Sequence, residues 1–287
     1  MNFQMLLALF IRLLKRLFAD EAVPLAGNIA FRMVFSLFPF LIFLTSLSGF
    51  FGSVALANSV TKFLVSVMPG NLVQPFQDEI LSILTVPRAG LLSLAVLLTI
   101  WSAMGGVDSV RVSLNRAYDT RETRPLWLLY VQNVLFVIAT AIMMLAVALL
   151  LVALPAFMNA LEIWAPHLIQ NYTSLNWMRF PLAGALLTIG LYAAHWFLPN
   201  RHLPLANVTP GIVLTLVIWL VLAFGFSWYL QNFSSFASTY ASLSGIFAAM
   251  FFVYLSALVL IFGGEVNRMI MVVRRTGPLG NKREPPR

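Results

Sequence analysis

The chain has 287 residues, 60% of them hydrophobic and 10% charged, with a mean hydropathy of +0.89. Soluble domains carry about 25% charged residues, so the balance excludes an ordinary soluble domain and indicates a polytopic membrane protein. The lack of cysteine excludes a disulfide framework and thiolate chemistry, and the net charge of +8 is informative through its placement rather than as a sign of nucleic-acid binding.

Residues 2–19 place Leu6, Phe10, Leu13 and Leu17 at helical spacing, with Arg12, Lys15 and Arg16 following the apolar start. No small-residue cleavage pattern follows, so an amphipathic helix on the membrane surface fits better than a signal peptide. Six apolar stretches come next, at about 27–51, 89–107, 126–154, 179–198, 208–230 and 243–267. They are continuous runs rather than short alternating segments, which favours helices over a β-barrel. Pro39 predicts a kink in the first, and Pro155 predicts the end of the third. The Gly105–Gly106 and Gly263–Gly264 pairs allow either close helix approach or local backbone irregularity where a cavity is lined.

The connection 52–88 suggests two short helices at the outer interface, one around Phe63, Leu64 and Val67 and one starting near Asn71. The fold class expected is therefore all-α: one integral membrane domain over 1–287, with six transmembrane helices, an N-terminal amphipathic helix and short periplasmic helices. Arg12, Lys15, Arg16, Arg111, Arg116, Arg121, Arg124, Arg201, Arg268, Arg274 and Arg275 fall on alternate connections and the two ends. The other connections carry Lys62, Arg88 and Arg179. The positive-inside rule then predicts both termini in the cytoplasm.

From Leu25 to Phe51 the one charge is Arg32. A charge in such a stretch costs a few kcal/mol or more unless it is paired or wetted, on the order of 3 kcal/mol on insertion scales. Asn28, Arg32 and Ser36 share a helix face at i, i+4, i+8. They read either as a polar stripe receiving an anionic group, or as an arginine that snorkels to headgroups or ties two helices. Asp108, Arg111, Asn115 and Tyr118 share another face, on a second span that continues beyond the membrane. Asp108 pairs either with Arg111 or with Arg32; Glu265 pairs either with Arg268 or with Arg32. Asn267 adds an amide at this level. Arg32, Asp108 and Glu265 are expected at one depth near the cytoplasmic face, as a polar vestibule open inward. Gln231 to Tyr240 is either a plain connection or a segment that closes the outer end.

No catalytic or metal set emerges. His167, His195 and His202 are dispersed, no HExxH, CxxC or Walker A sequence occurs, and no cofactor is implied.

Several segments together resemble the YihY/BrkB family of bacterial inner-membrane proteins, which has also carried the label ribonuclease BN-like. They are Leu25-Ala26-Gly27-Asn28-Ile29-Ala30-Phe31 with Ser36-Leu37-Phe38-Pro39, and Ser113-Leu114-Asn115-Arg116-Ala117-Tyr118. Leu198-Pro199-Asn200-Arg201 with Pro210-Gly211, and the run from Asn232 to Asn267 containing Gly263-Gly264-Glu265, complete the match. Ala241 departs from the family's usual glycine. The resemblance implies six helices with both ends inside, and the family's setting suggests transport of an amphipathic or lipid-like molecule. Membrane lipids are the expected partners, with a homo-oligomer left open. The alternative is a membrane scaffold, or envelope-integrity protein, whose ion pairs only hold helices together.

Overall fold

The computed structural model describes residues 3–50, 89–154, 158, 172–201, 203–233 and 241–276. The described residues form helices α1 (Phe3–Ala19), α2 (Ala22–Phe50), α3 (Ala89–Ala117), α4 (Leu126–Ala148), α5 (Tyr172–Phe197), α6 (Leu205–Phe233) and α7 (Ala241–Thr276). A five-residue π-helical stretch, Leu149–Ala153, extends α4. Six of these helices are long and apolar enough to cross a membrane. The short helices expected in 52–88 and the stop expected at Pro155 lie outside the described residues.

Helix α1 is amphipathic because Leu7, Phe10, Ile11, Leu13, Leu14, Leu17 and Phe18 fall on one side and Arg12, Lys15 and Arg16 on the other. Leu13 and Leu17 are buried against the bundle, whereas Leu7, Phe10, Ile11 and Phe18 are exposed beside exposed Arg12 and Lys15. Helix α2 begins at Ala22, several residues before the expected start, and continues through Pro39. Helix α3 runs past the apolar stretch to Ala117, so the second span does continue as a helix. Pro181 and Pro210 also lie within helices.

Helix α2 packs most extensively on α3 and also on α7, α6 packs on α7, and α1 touches α7 and α2. Helices α2 and α3 are antiparallel. Glu21 meets Arg116 at one level, and Arg32 meets Gly105 eleven residues farther along both helices. Helix α6 runs antiparallel to α7, with Trp219 Nε1 donating to Ser256 O at 3.0 Å. The α6–α7 contact is tight near Gly211 and Gly263. A Cβ on Gly263 would overlap Thr215 Oγ1, and one on Gly211 would overlap Gly263 O and lie 2.6 Å from Asn267 Nδ2. This is the close approach that the Gly263–Gly264 pair predicted.

The apolar core gathers Leu17, Ala22, Ile29, Leu114, Leu198, Val208, Ile212 and Ile261. Residues from the C-terminal half of α3 and the N-terminal half of α6 meet there with the C-terminal half of α7. The core therefore sits toward the end of the bundle that carries Arg12, Arg16, Arg116 and Arg268, here called the basic end.

Candidate functional site

Two tight turns build the basic end. Helix α1 stops at Asp20–Glu21, where Glu21 adopts a left-handed φ of 58° and its N–H donates to Phe18 O at 3.1 Å. Helix α3 stops the same way: Asp119 has φ 53°, its N–H donates to Arg116 O, and Thr120 N donates to Asn115 O at 2.8 Å. That pair of bonds is a Schellman ending with aspartate in place of the usual glycine. The turns present Asp20 and Asp119 to the same region of α7.

There Arg16 Nε lies 3.4 Å from Asp20 Oδ2 and 3.4 Å from Glu265 Oε2. Arg268 Nη2 lies 2.5 Å from Asp119 Oδ2, and its Nη1 is 3.8 Å from Asp20 Oδ2. Glu265 is fully buried. Beside this cluster, Asn267 Oδ1 accepts from Gly211 N at 2.6 Å while its Nδ2 donates to the Tyr118 hydroxyl at 3.1 Å. The same hydroxyl lies 2.7 Å from His195 Nδ1. Burial raises the Tyr118 phenol above its ordinary range, so it stays protonated and available as a donor to the imidazole. Three helices and the end of a fourth are thereby joined through buried polar groups, each an expensive loss if left unpaired.

A second knot orders the loop between α3 and α4. Glu122 Oε2 accepts from Arg111 Nη1 at 2.5 Å, Arg124 Nη2 at 2.8 Å and Asn115 Nδ2 at 3.0 Å. Burial alone pushes the Glu122 carboxyl up, but the bonds from the Arg124 side chain and backbone and from Arg111 outweigh it and hold the group at about 2. Asn115 Oδ1 accepts from Asn200 N at 2.8 Å, which fastens the α5–α6 connection to the same knot. Asp108 Oδ1 accepts from Arg111 Nη2 at 2.5 Å and from Asn133 Nδ2 of α4 at 3.5 Å.

Arg32 stands apart. Its Nε donates to Asn28 Oδ1 at 3.2 Å and its Nη1 to Gly105 O at 3.3 Å, and the side chain is exposed. Among the described residues no carboxylate lies within ion-pair distance of it. The missing side chain of Gly105 gives the guanidinium its place, since a Cβ there would stand 2.8 Å from Nη1. Ser36 turns its hydroxyl back to Met33 O at 2.7 Å, so the stripe ends with Asn28 and Arg32.

The candidates therefore separate into groups. Arg111, Asn115 and Asp108 belong to the loop knot, Glu265 and Asn267 to the buried basic end, and Asn28 and Arg32 to the α2–α3 seam. Arg32 and Asp108 lie within about one helical turn of each other, since Arg32 meets Gly105 three residues before Asp108, but Glu265 does not share their depth. Glu265 is level with Asp20, whereas Arg32 lies twelve residues beyond Asp20, about 18 Å along a helix. The reason is that α2 starts in the buried contact with α1, which carries Arg32 deeper than the edge of its apolar stretch suggests. Of its two expected partners, Asp108 takes the local one, Arg111. Glu265 takes neither of its own and meets Arg16, while Arg268 is drawn to Asp119 and Asp20.

The sequence reading missed Arg16, Asp20, Asp119 and Glu122, as well as the use of Tyr118 and His195 in one bond. A histidine within an apolar span was the available signal for the last of these. Among the described residues, no group of three or more His, Asp or Glu is arranged to hold a metal ion.

Six spanning helices around a polar-tied basic end define a multi-pass membrane protein. The family model described as Virulence factor BrkB matches residues 13–286, so the chain belongs to that family. A ribonuclease-like protein named YfkH from Bacillus subtilis (strain 168) is 29% identical over 268 residues, covering 90% of this chain and 94% of its own. A UPF0761 membrane protein from Alteromonas mediterranea is 26% identical over 261 residues, covering 88% of this chain and 84% of its own. A UPF0761 membrane protein from Pseudoalteromonas atlantica is 22% identical over 264 residues, covering 88% and 82%. No solved structure matches the chain.

Proposed function

We propose that this protein binds an anionic amphiphile, lipid-like and bearing a phosphate or carboxylate head, and carries it across the inner membrane. The head would seat at Arg32 on the seam between α2 and α3. One observation carries this reading: Arg32 is exposed about 16 Å beyond the Glu21–Arg116 pair, roughly half a hydrocarbon thickness, and its hydrogen-bond partners are two neutral groups. A guanidinium so placed is costly without a counter-charge, and its planar fork suits phosphate or carboxylate. Gly105 leaves room for the guanidinium on the seam. The placement of basic residues favours a cytoplasmic basic end, hence cytoplasmic termini. Single cysteines at Thr123 and Ser235 should then label from opposite sides of intact cells.

The reading contains no catalytic step. His195 is committed to Tyr118, and the acidic residues described are divided among ion pairs at the basic end and in the loop knot. The scaffold reading has its own support, because Asp108, Arg111, Asn115, Glu265 and Asn267 are all used as ties between elements.

Lipid-induced thermal stabilisation in detergent separates the two. With dodecyl phosphate or phosphatidylglycerol, the wild type should gain stability relative to phosphatidylcholine. Arg32→Lys and Gly105→Ala should fold normally and lose most of that gain, the first by losing the planar fork and the second by displacing it. Equal stabilisation of all three proteins would remove Arg32 as an anion site and leave the scaffold reading.

A further inference from the structure

Helix α1 carries Arg12, Lys15 and Arg16 and no acidic residue. At about 100° per residue its side chains divide into three arcs. Leu13 and Leu17 face the bundle and are buried. Going round from Leu17, Phe10, Leu7, Phe18 and Ile11 follow in that order, all of them exposed. Lys15 and Arg12 come next, also exposed, and Arg16 closes the circuit beside Leu13, where it meets Asp20 and Glu265.

Neither water nor hydrocarbon suits such a helix on all sides. Phe10 has 52% of its surface exposed and Phe18 69%, within one continuous apolar arc, which is unfavourable against water. The basic arc is unfavourable in hydrocarbon. The chain also restricts where α1 can lie. Asp20 and Glu21 alone separate its last residue, Ala19, from Ala22, where the first spanning stretch begins. Phe18 is therefore held close to the membrane boundary, while Arg16, Leu13 and Leu17 keep the helix against α7 and α2. With the apolar arc turned into the bilayer, Lys15 falls on the flank away from the bundle, at the level of lipid headgroups. Arg12 stands above it, within snorkelling reach of the same level. Among the described residues no carboxylate lies within ion-pair distance of either cation.

We propose that the exposed side of α1 is a docking surface for anionic phospholipids of the leaflet at the basic end. Lys15 and Arg12 take the phosphates, and Leu7, Phe10, Ile11 and Phe18 lie among the upper parts of the acyl chains. A zwitterionic lipid offers the same chains, but its own ammonium offsets the phosphate. Each of the two cations therefore favours the anionic lipid by about fivefold in affinity. Helix α1 then has two partners, the bundle and the leaflet, and the charge of the leaflet decides how closely the helix lies on it. The surface is separate from Arg32, and the proposal does not depend on that site.

The chain has no cysteine, so one introduced cysteine can carry an environment-sensitive fluorophore in the full-length protein in nanodiscs. Phe10→Cys reports on the apolar arc. Ala8→Cys, exposed between Lys15 and Arg12 on the helix, reports on the polar side. Acrylamide, a neutral quencher, reads access from water. Replacing phosphatidylcholine stepwise by phosphatidylglycerol should lower quenching at Phe10→Cys several-fold and leave Ala8→Cys accessible. Soluble glycerol phosphate added to phosphatidylcholine discs should have no effect, since it brings no acyl chains. Arg12→Gln and Lys15→Gln should each raise the phosphatidylglycerol content required by about fivefold. The double variant should lose the response, and high salt should weaken it in the otherwise unaltered chain. Both side chains are exposed, so these variants should keep the unfolding temperature of the parent. Arg32→Lys should leave the titration where it was, and a shift there would merge the two sites and overturn the proposal. Protection at Phe10→Cys that is equal in the two lipids, absent from both, or confined to discs holding two copies of the chain would also overturn it, as would an unchanged titration in the double variant.

Discussion

The basic end and the α2–α3 seam handle charge in opposite ways. At the basic end and the loop knot beside it, Arg16, Arg111, Arg116 and Arg268 face carboxylates and Arg274 faces an amide, and Glu265, Asn267, Arg111 and Arg268 are nearly or fully buried. At the seam one guanidinium is exposed with two neutral partners. The first arrangement is expensive to disturb, because removing one member strands another away from water. The second is cheap to disturb for folding, because nothing else relies on it. Under the proposed function, stability and ligand recognition fall at different depths of the same bundle.

Substitutions can break or sharpen this contrast. The largest effect is expected from Gly263→Leu, which drives a side chain into Thr215 and the Gly211 backbone. A loss of about 3 kcal/mol or more is expected for such overpacking, read as a fall in detergent unfolding temperature. Asn267→Ala should follow, at about 2 kcal/mol, because the Gly211 N–H and one lone pair of the Tyr118 hydroxyl lose their partner in a buried place. If Asn267→Ala unfolded at the wild-type temperature, the basic end would not be the stabilising region described.

Glu122 gives a smaller, pH-dependent effect. Its carboxyl is held at about 2 against an ordinary 4.5, so the folded state favours its charged form. The stabilisation is present above about pH 4.5 and is lost as pH falls toward 2. Glu122→Gln should flatten that part of an acid-unfolding curve, and an unchanged curve would show that the loop knot does not report on folding. The smallest effects belong to exposed positions. Arg32→Ala should alter thermal stability by no more than about 0.5 kcal/mol, since surface substitutions rarely do more. A cost above about 2 kcal/mol would place Arg32 among the structural ties after all. Glu21→Gly should be neutral or stabilising by up to about 1 kcal/mol: glycine accepts the left-handed turn, and an exposed pair with Arg116 is worth little.

The elements were more legible than their meeting points. Helix α1, the six spans and the continuation of the second into Ala117 follow from hydropathy and 3.6-residue periodicity, which act locally. The start of α2 was read too late, because Ala22–Pro24 is apolar but next to Asp20 and Glu21, and only the left-handed Glu21 marks the turn. Glu265 was assigned a partner on its own helix or on α2. Its partner Arg16 lies on the helix read as lying on the membrane surface, and no spacing rule connects positions so far apart.

Composition and local spacing alone determined the membrane class, the number of spans, the concentration of basic residues on alternate connections, and the short-range contacts Asn28–Arg32 and Asp108–Arg111. These depend on interactions within one helix, where geometry is set by the backbone. Tertiary structure alone decided that Arg16 meets Glu265, that Tyr118 joins His195 to Asn267, and that Gly105 makes room for Arg32 while Gly211 and Gly263 bring α6 and α7 together. Those contacts depend on how far each helix is rotated and slid against its neighbour. Packing of the whole core sets both, and a single helix carries no record of either.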